Sequence, residues 1–355
     1  MDLFNHVSEQ MVQLGESLKE SVPREVRYFL GAGAAVVGIY YYRKYIQGGQ
    51  FRKDHVKMDG KVVIITGGNT GIGKETAMDL ARRNAKIYLA CRDRDRCEAA
   101  RQEIIEKTGN TKIYNRHLDL TTLKSVREFA EDFVKEEEKL DVLINNAGVL
   151  YVPHSITEDG CEITMQINHL SHFLLSHLLL EPLKKALQGR IVNVSSLGYR
   201  NAKIDKNDLH FENSSPTGLI RYANSKLAII LTVQRLAKEL KGTNVTVNSL
   251  HPGYIQTTIT PRNTGVSKIA RCIIKIIHPL LMTFFGKTRK SGAQTTIRCA
   301  VDPELSTVSG KYFIDCEEVQ DQKMAFQAKD GEISEFIWRE SLRLAKIPSD
   351  FIYSK

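Results

Sequence analysis

The sequence predicts an α/β fold in which one doubly wound parallel β-sheet is covered by helices on both faces. Short runs rich in valine and isoleucine alternate along the chain with longer segments whose apolar residues recur at helical spacing. The first strand ends in a glycine-rich turn that leads directly into a helix, as in a βαβ unit. With 355 residues, 42% hydrophobic and 26% charged, the chain can form one large domain with an appendage.

The elements follow one another in a regular order. Strand "KVVIITGG", helix "IGKETAMDLARRN" and strand "KIYLAC" form the first unit, and Asn84 stands where the helix must stop, because asparagine tolerates the left-handed conformation. Later strands are predicted at "DVLINNAG", "GRIVNVSS", "NVTVNSLHPG" and "SGKYFID". Helices are predicted between them at "LKSVREFAEDFVKEEE", "ITMQINHLSHFLLSHLLLEPLKKAL" and "YANSKLAIILTVQRLAKELK". This alternation favours a parallel sheet.

The N-terminal region has a different composition. Residues 28–42 carry no charge and lie between basic residues. Fifteen helical residues reach about 22 Å, which is short of the roughly 30 Å hydrocarbon core of a bilayer, but snorkelling basic side chains could extend the segment. We expect an N-terminal region at 1–48 with a membrane-anchor segment at 28–46, spanning or interfacial, although a buried glycine-rich helix is the alternative. A polar linker at 49–57 and the main domain at 58–345 follow.

Composition disfavours several classes of function. The net charge of +9 comes from basic residues interspersed with acids, and no nucleic-acid-binding motif accompanies them, so no nucleic acid partner is expected. The six cysteines contain no CxxC pair, so neither a zinc site nor a disulfide framework is indicated. His169, His172 and His177 have no acidic partner nearby and are predicted to be packed or capping residues rather than metal ligands. The oligomeric state cannot be read from the sequence.

The glycine-rich turn at residues 66–73 is the first chemical signal. Glycines allow a tight turn and let backbone amides approach a pyrophosphate, which then lies at the N-terminus of the following helix. About 20 residues after Gly71, at the end of the next strand, an acid would bind a ribose hydroxyl, whereas a base would accept a 2′-phosphate. The chain has Arg92 there, followed by Arg94 and Arg96. We therefore predict NADP(H); surface arginines paired with neighbouring aspartates are the alternative.

The stretch "RYANSK" places Tyr222 and Lys226 four positions apart. On a helix these residues share a face, so the ammonium would lie one turn from the phenol. A nearby positive charge favours the phenolate and would lower the tyrosine pKa from about 10, which makes Tyr222 a candidate proton donor. A solvated helix face is the alternative.

In their order along the chain, the motifs resemble those of the short-chain dehydrogenase/reductases. The resemblance covers about residues 58–320 and is nearest to the retinol dehydrogenase group, in particular its type-13 branch. It implies a single Rossmann-type domain. The motifs are TGxxxGxG from Thr66 to Gly73, Asp119-Leu120, "NNAG" from Asn145 to Gly148, Asn168, Ser195-Ser196, Tyr222 with Lys226, and PGxxxT at Pro252, Gly253 and Thr257.

The resemblance also implies a catalytic role for four residues. Tyr222 would give its proton to a substrate carbonyl oxygen, and Lys226 would shift the phenol pKa and reach the nicotinamide ribose. Ser196, rather than Ser195, would hydrogen-bond the carbonyl oxygen. Asn168 would hold a water that passes protons toward the lysine, although an asparagine bonded to its own backbone is the alternative. The expected cofactor-binding residues are Thr66, Gly67, Asn69, Thr70, Gly71, Ile72, Gly73, Arg92, Asp119, Leu120, Asn146, Ala147, Gly148, Tyr222, Lys226, Pro252, Gly253 and Thr257.

The substrate prediction rests on residues 266–286, which are mostly large and apolar and stand where the family has its substrate lid. Such a lid suits a lipophilic alcohol or aldehyde. The polar insertion at 197–221 would line the opposite wall. The resemblance suggests the reduction of all-trans-retinal to retinol, while other lipid or xenobiotic carbonyls fit the hydrophobicity equally well. The expected location is the endoplasmic reticulum or the mitochondrial inner membrane.

A function of a different class is a nucleotide-binding sensor or scaffold without useful turnover. Such a protein would be expected to have lost at least one of the four predicted catalytic residues. All four are present. The sequence therefore favours an active enzyme.

Overall fold

The computed structural model describes residues 24–255, 286–348, 351 and 353, and the chain divides into two compact units after Gln47. The first unit is described by helix α1, Arg24–Gln47, which includes the predicted anchor segment. Val36, Val37 and Tyr45 are among its exposed side chains. Within the described ranges, no helix combines the length and the apolar character that crossing a membrane requires.

The second unit is built on one eight-stranded sheet. Its strands are β1 (Val62–Thr66), β2 (Lys86–Cys91), β3 (Ile113–His117), β4 (Val142–Asn145), β5 (Gly189–Val194), β6 (Val245–His251), β7 (Tyr312–Ile314) and β8 (Glu317–Glu318). The spatial order is β3-β2-β1-β4-β5-β6-β7-β8, and every pair is parallel except β7 with β8. Because β1 lies between β2 and β4, the winding reverses there, which opens a crevice at the carboxyl ends of these strands.

Helices cover both faces of the sheet. In the second unit they are α2 (Gly71–Arg82), α3 (Arg94–Thr108), α4 (Leu123–Glu136), α5 (Ile163–Met165), α6 (Ser171–Leu178), α7 (Leu180–Lys185), α8 (Gly218–Glu239), α9 (Arg289–Val301) and α10 (Gly331–Leu344). Two apolar cores result, one on each face. Ile64 of β1 points into the core shared with α4, α6 and α8, and its neighbours Val63 and Ile65 point into the core shared with α2 and α9. The predicted doubly wound α/β sheet is confirmed.

Most predicted elements coincide with observed ones, and Asn84 ends the first crossover helix with a φ of 70°. The predicted helix over 163–187 is not continuous. A π-helical turn, Gln166–Leu170, separates α5 from α6, and α6 ends before α7. Helices α3, α9 and α10 and strands β3 and β8 are not predicted from the sequence.

The segment predicted as a linker, residues 49–57, is packed onto the second unit. Phe51 is buried, and its backbone N–H donates to Oε1 of Gln294 on α9 at 3.0 Å. Lys53 donates to Asp302 at 2.9 Å. The predicted lid at 266–286, apart from its last residue, lies outside the described residues.

Candidate active site

The glycine-rich turn after β1 is shaped by two close approaches. Gly67 has a φ of +65°, and a Cβ added to it would lie 3.1 Å from Ala147. A Cβ on Gly73 would lie 2.5 Å from both the Asn146 side chain and the Gly67 carbonyl oxygen. Only glycine lets the turn, the start of α2 and the loop after β4 pack this closely.

The N-terminus of α2 can receive an anion. Thr70 occupies the N-cap position with an extended backbone, and its side chain makes no capping hydrogen bond. The first backbone N–H groups of a helix have no partner within the helix, and the helix dipole favours negative charge at this end. A glycine-rich turn leading into this terminus fits the pyrophosphate of a dinucleotide.

The "NNAG" loop is fastened to the end of β1. The Thr66 hydroxyl oxygen accepts hydrogen bonds from the backbone N–H groups of Asn146 at 2.9 Å and Ala147 at 3.0 Å. The Asn146 side chain donates to the Thr66 carbonyl oxygen at 2.9 Å. These three hydrogen bonds hold the end of β1 against the loop after β4, and Gly148 is the next residue of that loop.

Arg92 directly follows β2 and is exposed. Within the described part of the chain it forms no ion pair. Asp93 instead caps α3 and pairs with Arg96 at 3.3 Å. Arg96 is therefore paired with a neighbouring aspartate, as the alternative interpretation expected, and Arg92 is not paired in this way. Asp119, also predicted to bind the cofactor, accepts hydrogen bonds from the backbone and the hydroxyl of Thr121.

Tyr222 and Lys226 lie on the first turns of α8 and share a face, as predicted. The Lys226 Nζ lies 5.5 Å from the centroid of the Tyr222 ring. It donates to the Val194 carbonyl oxygen at 2.8 Å. Burial lowers the pKa of Lys226 to about 7. Helix α8 therefore places an amine whose pKa lies near neutral beside a phenol at the carboxyl end of β5.

The predicted direction of the Tyr222 pKa shift is wrong for this structure. Burial raises the pKa of Tyr222, and a hydrogen bond with Ser196 offsets this only in part. Desolvation of the phenolate therefore outweighs the charge effect expected from Lys226. Lys226 is itself desolvated, which weakens its tendency to carry the charge on which that expectation depended.

The serine pair separates into two roles. The Ser195 hydroxyl is buried and donates to the Lys226 carbonyl oxygen at 2.7 Å, so it fastens β5 to α8. The Ser196 hydroxyl oxygen accepts from the Gly198 N–H at 3.1 Å and hydrogen-bonds with Tyr222. His251 Nδ1 accepts from the Leu197 N–H at 3.2 Å and so orders the residue after Ser196.

Asn168 lies in the π-helical turn and is fully buried. Its Oδ1 accepts from the Val149 N–H at 2.7 Å, and its Nδ2 donates to the Val149 carbonyl at 3.0 Å and the Ser225 hydroxyl at 2.9 Å. The alternative of an asparagine bonded to its own backbone is therefore wrong. A Cβ on Gly148 would lie 3.3 Å from Asn168 Oδ1 and 3.4 Å from Lys226 Nζ, so Gly148 passes between them.

The other predicted site residues have defined places except Thr257, which lies outside the described residues. Gly253 has a φ of +97° and packs against the Lys287 side chain, and Pro252 precedes it after β6. Leu120 is buried, and its carbonyl oxygen accepts from the Ser171 hydroxyl at 2.7 Å. Asn69 and Ile72 belong to the glycine-rich turn and to the first turn of α2.

Sequence reasoning missed Arg221. Its guanidinium donates to the carbonyl oxygens of Val152 at 2.9 Å and Pro216 at 2.7 Å, and its Nε lies 3.3 Å from buried Glu162. Arg221 therefore joins the two loops beside Tyr222 to the helix that leads to Asn168. The signal was an arginine directly before the tyrosine, but two of its partners, Val152 and Glu162, are too distant in sequence to be inferred.

These side chains bring a phenol, a hydroxyl and an amine together at the carboxyl end of β5, beside the crevice at the glycine-rich turn. Residues 61–265 match the short chain dehydrogenase family, and the chain belongs to that family. It is an oxidoreductase that acts on CH–OH donors. It is 45% identical to retinol dehydrogenase 11 of Mus musculus over 297 residues, which cover 84% of this chain and 90% of the relative. It is 44% identical to retinol dehydrogenase 13 of Homo sapiens over 315 residues, which cover 88% and 91%.

Solved structures share the fold. An uncharacterized protein from Mycobacterium paratuberculosis superposes with a TM-score of 0.65 at 30% identity, over 82% of this chain and 95% of that chain. A short chain dehydrogenase from Escherichia coli CFT073, solved in complex with NADPH, gives a TM-score of 0.57 at 24% identity, over 75% and 100%. The predicted membership of the retinol dehydrogenase group is confirmed by the curated relatives.

Proposed function

We propose that this protein is an NADP(H)-dependent oxidoreductase that interconverts a lipophilic alcohol and its carbonyl compound, with reduction of all-trans-retinal to retinol as its activity. The observation that carries the proposal is the convergence of Tyr222, Ser196 and Lys226 beside the nucleotide crevice. The relatives named retinol dehydrogenase support the substrate class.

Each of the four polar side chains has its own role in the reaction; they are Tyr222, Ser196, Lys226 and Asn168. When bound, the dinucleotide supplies the hydride. The Tyr222 hydroxyl donates its proton to the substrate carbonyl oxygen. Ser196 accepts from the Gly198 N–H, and its hydroxyl hydrogen, which bonds Tyr222 in this structure, can turn to the same oxygen, where negative charge develops. In the direction of oxidation the proton transfers run in reverse.

Lys226 and Asn168 support the proton transfer by Tyr222 without contacting the substrate carbonyl. The Lys226 amine is held by the Val194 carbonyl, and its remaining hydrogens are available for the nicotinamide ribose hydroxyls. Both amide hydrogens of Asn168 are used by Val149 and Ser225. Its Oδ1 retains a lone pair beyond the bond from Val149, and this is the acceptor available to a relay water.

We further propose that Arg92 selects the phosphorylated cofactor. Its guanidinium is exposed directly after β2 and has no intramolecular carboxylate partner in the described ranges. A planar guanidinium binds a phosphate with two parallel hydrogen bonds, and the charge assists both. The E. coli relative solved with NADPH is consistent with this choice.

Helix α1 is proposed to associate with the endoplasmic reticulum or the mitochondrial inner membrane by lying in the interface. Its exposed side chains include Val36, Val37 and Ile39, with Tyr40, Tyr41 and Tyr45 toward one end. Tyrosine is favoured at the boundary between lipid and water, and basic residues follow the apolar run. A lipophilic substrate would be available in the same interface.

The experiment is NADPH oxidation by the full-length chain in detergent, with all-trans-retinal and a series of aliphatic aldehydes as substrates. Formation of retinol with consumption of NADPH is expected, and Tyr222→Phe serves as the inactive control. A preference for aliphatic aldehydes over retinal would move the substrate to other lipid carbonyls. Binding of NADPH without reduction of any carbonyl would contradict the proposal and favour the sensor or scaffold function.

A further inference from the structure

His172 is a buried histidine that contacts both the cofactor turn and the segment of Asn168. It lies on α6, one turn after Asn168, and is 3% exposed. Its Nδ1 is 3.1 Å from the Asn168 carbonyl oxygen, and its Nε2 is 2.9 Å from the Thr66 hydroxyl oxygen. The imidazole therefore spans the distance between the end of β1 and the π-helical turn.

The partners fix the tautomer of this ring. A carbonyl oxygen can only accept, so the Nδ1 must carry the hydrogen. Burial lowers the pKa of His172 to about 4, so the ring is neutral at pH 7 and its Nε2 is an acceptor. The Thr66 hydroxyl must then donate to Nε2, and this is a closer partner than the Ile144 carbonyl at 3.5 Å.

The hydrogen bonds continue beyond Thr66 without a gap. Its hydroxyl oxygen accepts the N–H groups of Asn146 and Ala147, and Ala147 packs against Gly67 in the cofactor turn. At the other end, the Asn168 side chain holds the backbone of Val149 through two hydrogen bonds. These hydrogen bonds together connect the cofactor turn to the π-helical turn through the buried His172 ring.

We propose that His172 is a positioning residue for the hydride transfer, because its neutral imidazole sets the separation between the cofactor turn at Thr66 and the Asn168–Lys226 side of the site. The proposal rests on the proposed function. If this separation changed, Gly148 would move, because it lies between Asn168 and Lys226. The part of the crevice that receives the nicotinamide would then move with Gly148. His172 itself touches neither substrate nor cofactor in this assignment.

The chain offers a matched control on the same helix. His177 is 4% exposed, its Nδ1 bonds the carbonyl oxygen four residues earlier, Phe173, at 2.7 Å, and burial also lowers its pKa to about 4. Its Nε2, however, meets the Tyr353 hydroxyl at 2.9 Å, near the C-terminus and not in the crevice. His172→Phe and His177→Phe therefore remove equivalent buried rings, and only the first lies between the cofactor turn and Asn168.

The test measures NADPH affinity by fluorescence, kcat and KM for the aldehyde, and thermal stability, in both variants of the full-length chain. His172→Phe is expected to weaken NADPH binding about 10-fold and to lower kcat up to about 100-fold, with little change in KM for the aldehyde. His177→Phe is expected to lower stability to a similar extent while both NADPH affinity and kcat stay within about twofold.

Thr66→Val provides a second variant that keeps the side-chain shape and removes the hydroxyl. It is expected to lose at least as much as His172→Phe, because it also removes the acceptor of the Asn146 and Ala147 N–H groups. The double variant should lose little more than Thr66→Val alone, because both substitutions break the connection between Thr66 and His172. The proposal is overturned if His172→Phe behaves like His177→Phe, or if the two losses simply add. Failure of the proposed function is distinct, since the unmodified protein would then bind no NADPH or reduce no carbonyl.

Discussion

The Lys226 amine lies 5.5 Å from the centre of the Tyr222 ring, although burial shifts the pKa values of the two groups in opposite directions. The phenol becomes a weaker acid and the ammonium a stronger one. In this structure each group therefore favours its neutral form. Lys226 can therefore take up or release a proton near neutral pH, whereas Tyr222 keeps its proton there, as a proton donor to a substrate must.

Replacing Tyr222 by phenylalanine should reduce turnover about 100-fold or more while NADPH affinity stays nearly unchanged. The substitution keeps the ring that packs against Gly198 and removes only the hydroxyl that hydrogen-bonds with Ser196. Steady-state kinetics and fluorescence binding measure the two quantities. Tyr114→Phe, at an exposed position of β3, is the control and should be neutral. Near-normal turnover of Tyr222→Phe would rule out Tyr222 as the proton donor.

Lys226→Met should weaken the dependence of the free energy of unfolding on pH between about 7 and 10. The lysine pKa falls from 10.5 to about 7 on folding, so between these values the unfolded chain binds more protons than the folded chain. For this residue the free energy of unfolding decreases as the pH falls from about 10 toward 7, by about 1.4 kcal/mol per pH unit. Urea unfolding at pH 7.5 and 9.5 should show this slope in the unmodified protein and a smaller one in the variant.

The buried histidines should make the fold sensitive to mild acid. Burial lowers the pKa of His169 to about 3 and those of His172, His177 and His251 to about 4. Above about pH 6.5 these residues are neutral in both states, whereas between 6.5 and 4 the unfolded chain takes up protons that the folded chain does not. Each histidine should therefore cost about 1.4 kcal/mol of stability per pH unit in that window.

The contribution of one histidine can be isolated with His177→Phe. This variant should be less stable at pH 7 because it loses two hydrogen bonds, but its stability should fall less steeply toward pH 5 than that of the unmodified protein. Thermal unfolding at half-unit pH intervals provides the comparison. Identical slopes would mean that His177 is not the origin of any acid sensitivity.

Arg92→Asp should weaken NADP(H) binding far more than NAD(H) binding. Losing a charge-assisted contact to the 2′-phosphate should cost about 1.5–3 kcal/mol, whereas NAD(H) lacks that phosphate. Titration with both cofactors measures the difference. Arg96→Ala is the control, because Asp93 already holds that guanidinium. If the unmodified protein binds both cofactors equally well, the cofactor assignment is wrong.

Deleting residues 1–48 should release the protein from membranes and leave NADPH binding intact. The deletion removes α1 and retains Phe51 and Lys53, which are anchored on α9 and on Asp302. Deleting residues 1–58 should also release the protein but lower its melting temperature, because the buried Phe51 and Met58 are lost. Pelleting of the shorter deletion with membranes after carbonate and salt washing would place the membrane contact elsewhere.

The parts of the fold that could be predicted are those with a local signal. Strands β1, β4, β5 and β6 are buried along their whole length. Strands β1 and β4 begin with the continuous apolar runs VVII and VLI, and β5 and β6 combine valine, isoleucine or leucine with polar residues. Strand β3 has the sequence IYNRH and lies at an edge, where polar residues are tolerated, so no apolar run marked it. Helix α3 is rich in charged residues and buries little more than Cys97, Ala100 and Ile104, although Asp93 and Gly109 cap it as expected from their residue types.

The candidate site also has some features with a local sequence signal and others that depend on tertiary packing. Tyr222 and Lys226 could be placed on one helix face because their spacing is local. The π-helical turn at Asn168 adds one residue per turn without any proline or glycine to mark it, so the sequence gives no sign of it. The direction of the Tyr222 pKa shift depends on burial by distant segments, and so do the partners of Arg221 and His172. These features follow from tertiary packing and not from local pattern.

The two ends of the sheet differ in how they could meet another chain. Strand β8 has only two residues, and both are exposed glutamates, so in the described part of the chain this edge of the sheet is short and negatively charged. Short, charged edges resist the addition of a further strand and protect against aggregation. The opposite edge, β3, is five residues long and exposes Tyr114, with no comparable block of charge. Edge-to-edge association of partly unfolded chains should therefore begin at β3, and Tyr114→Lys should discourage it.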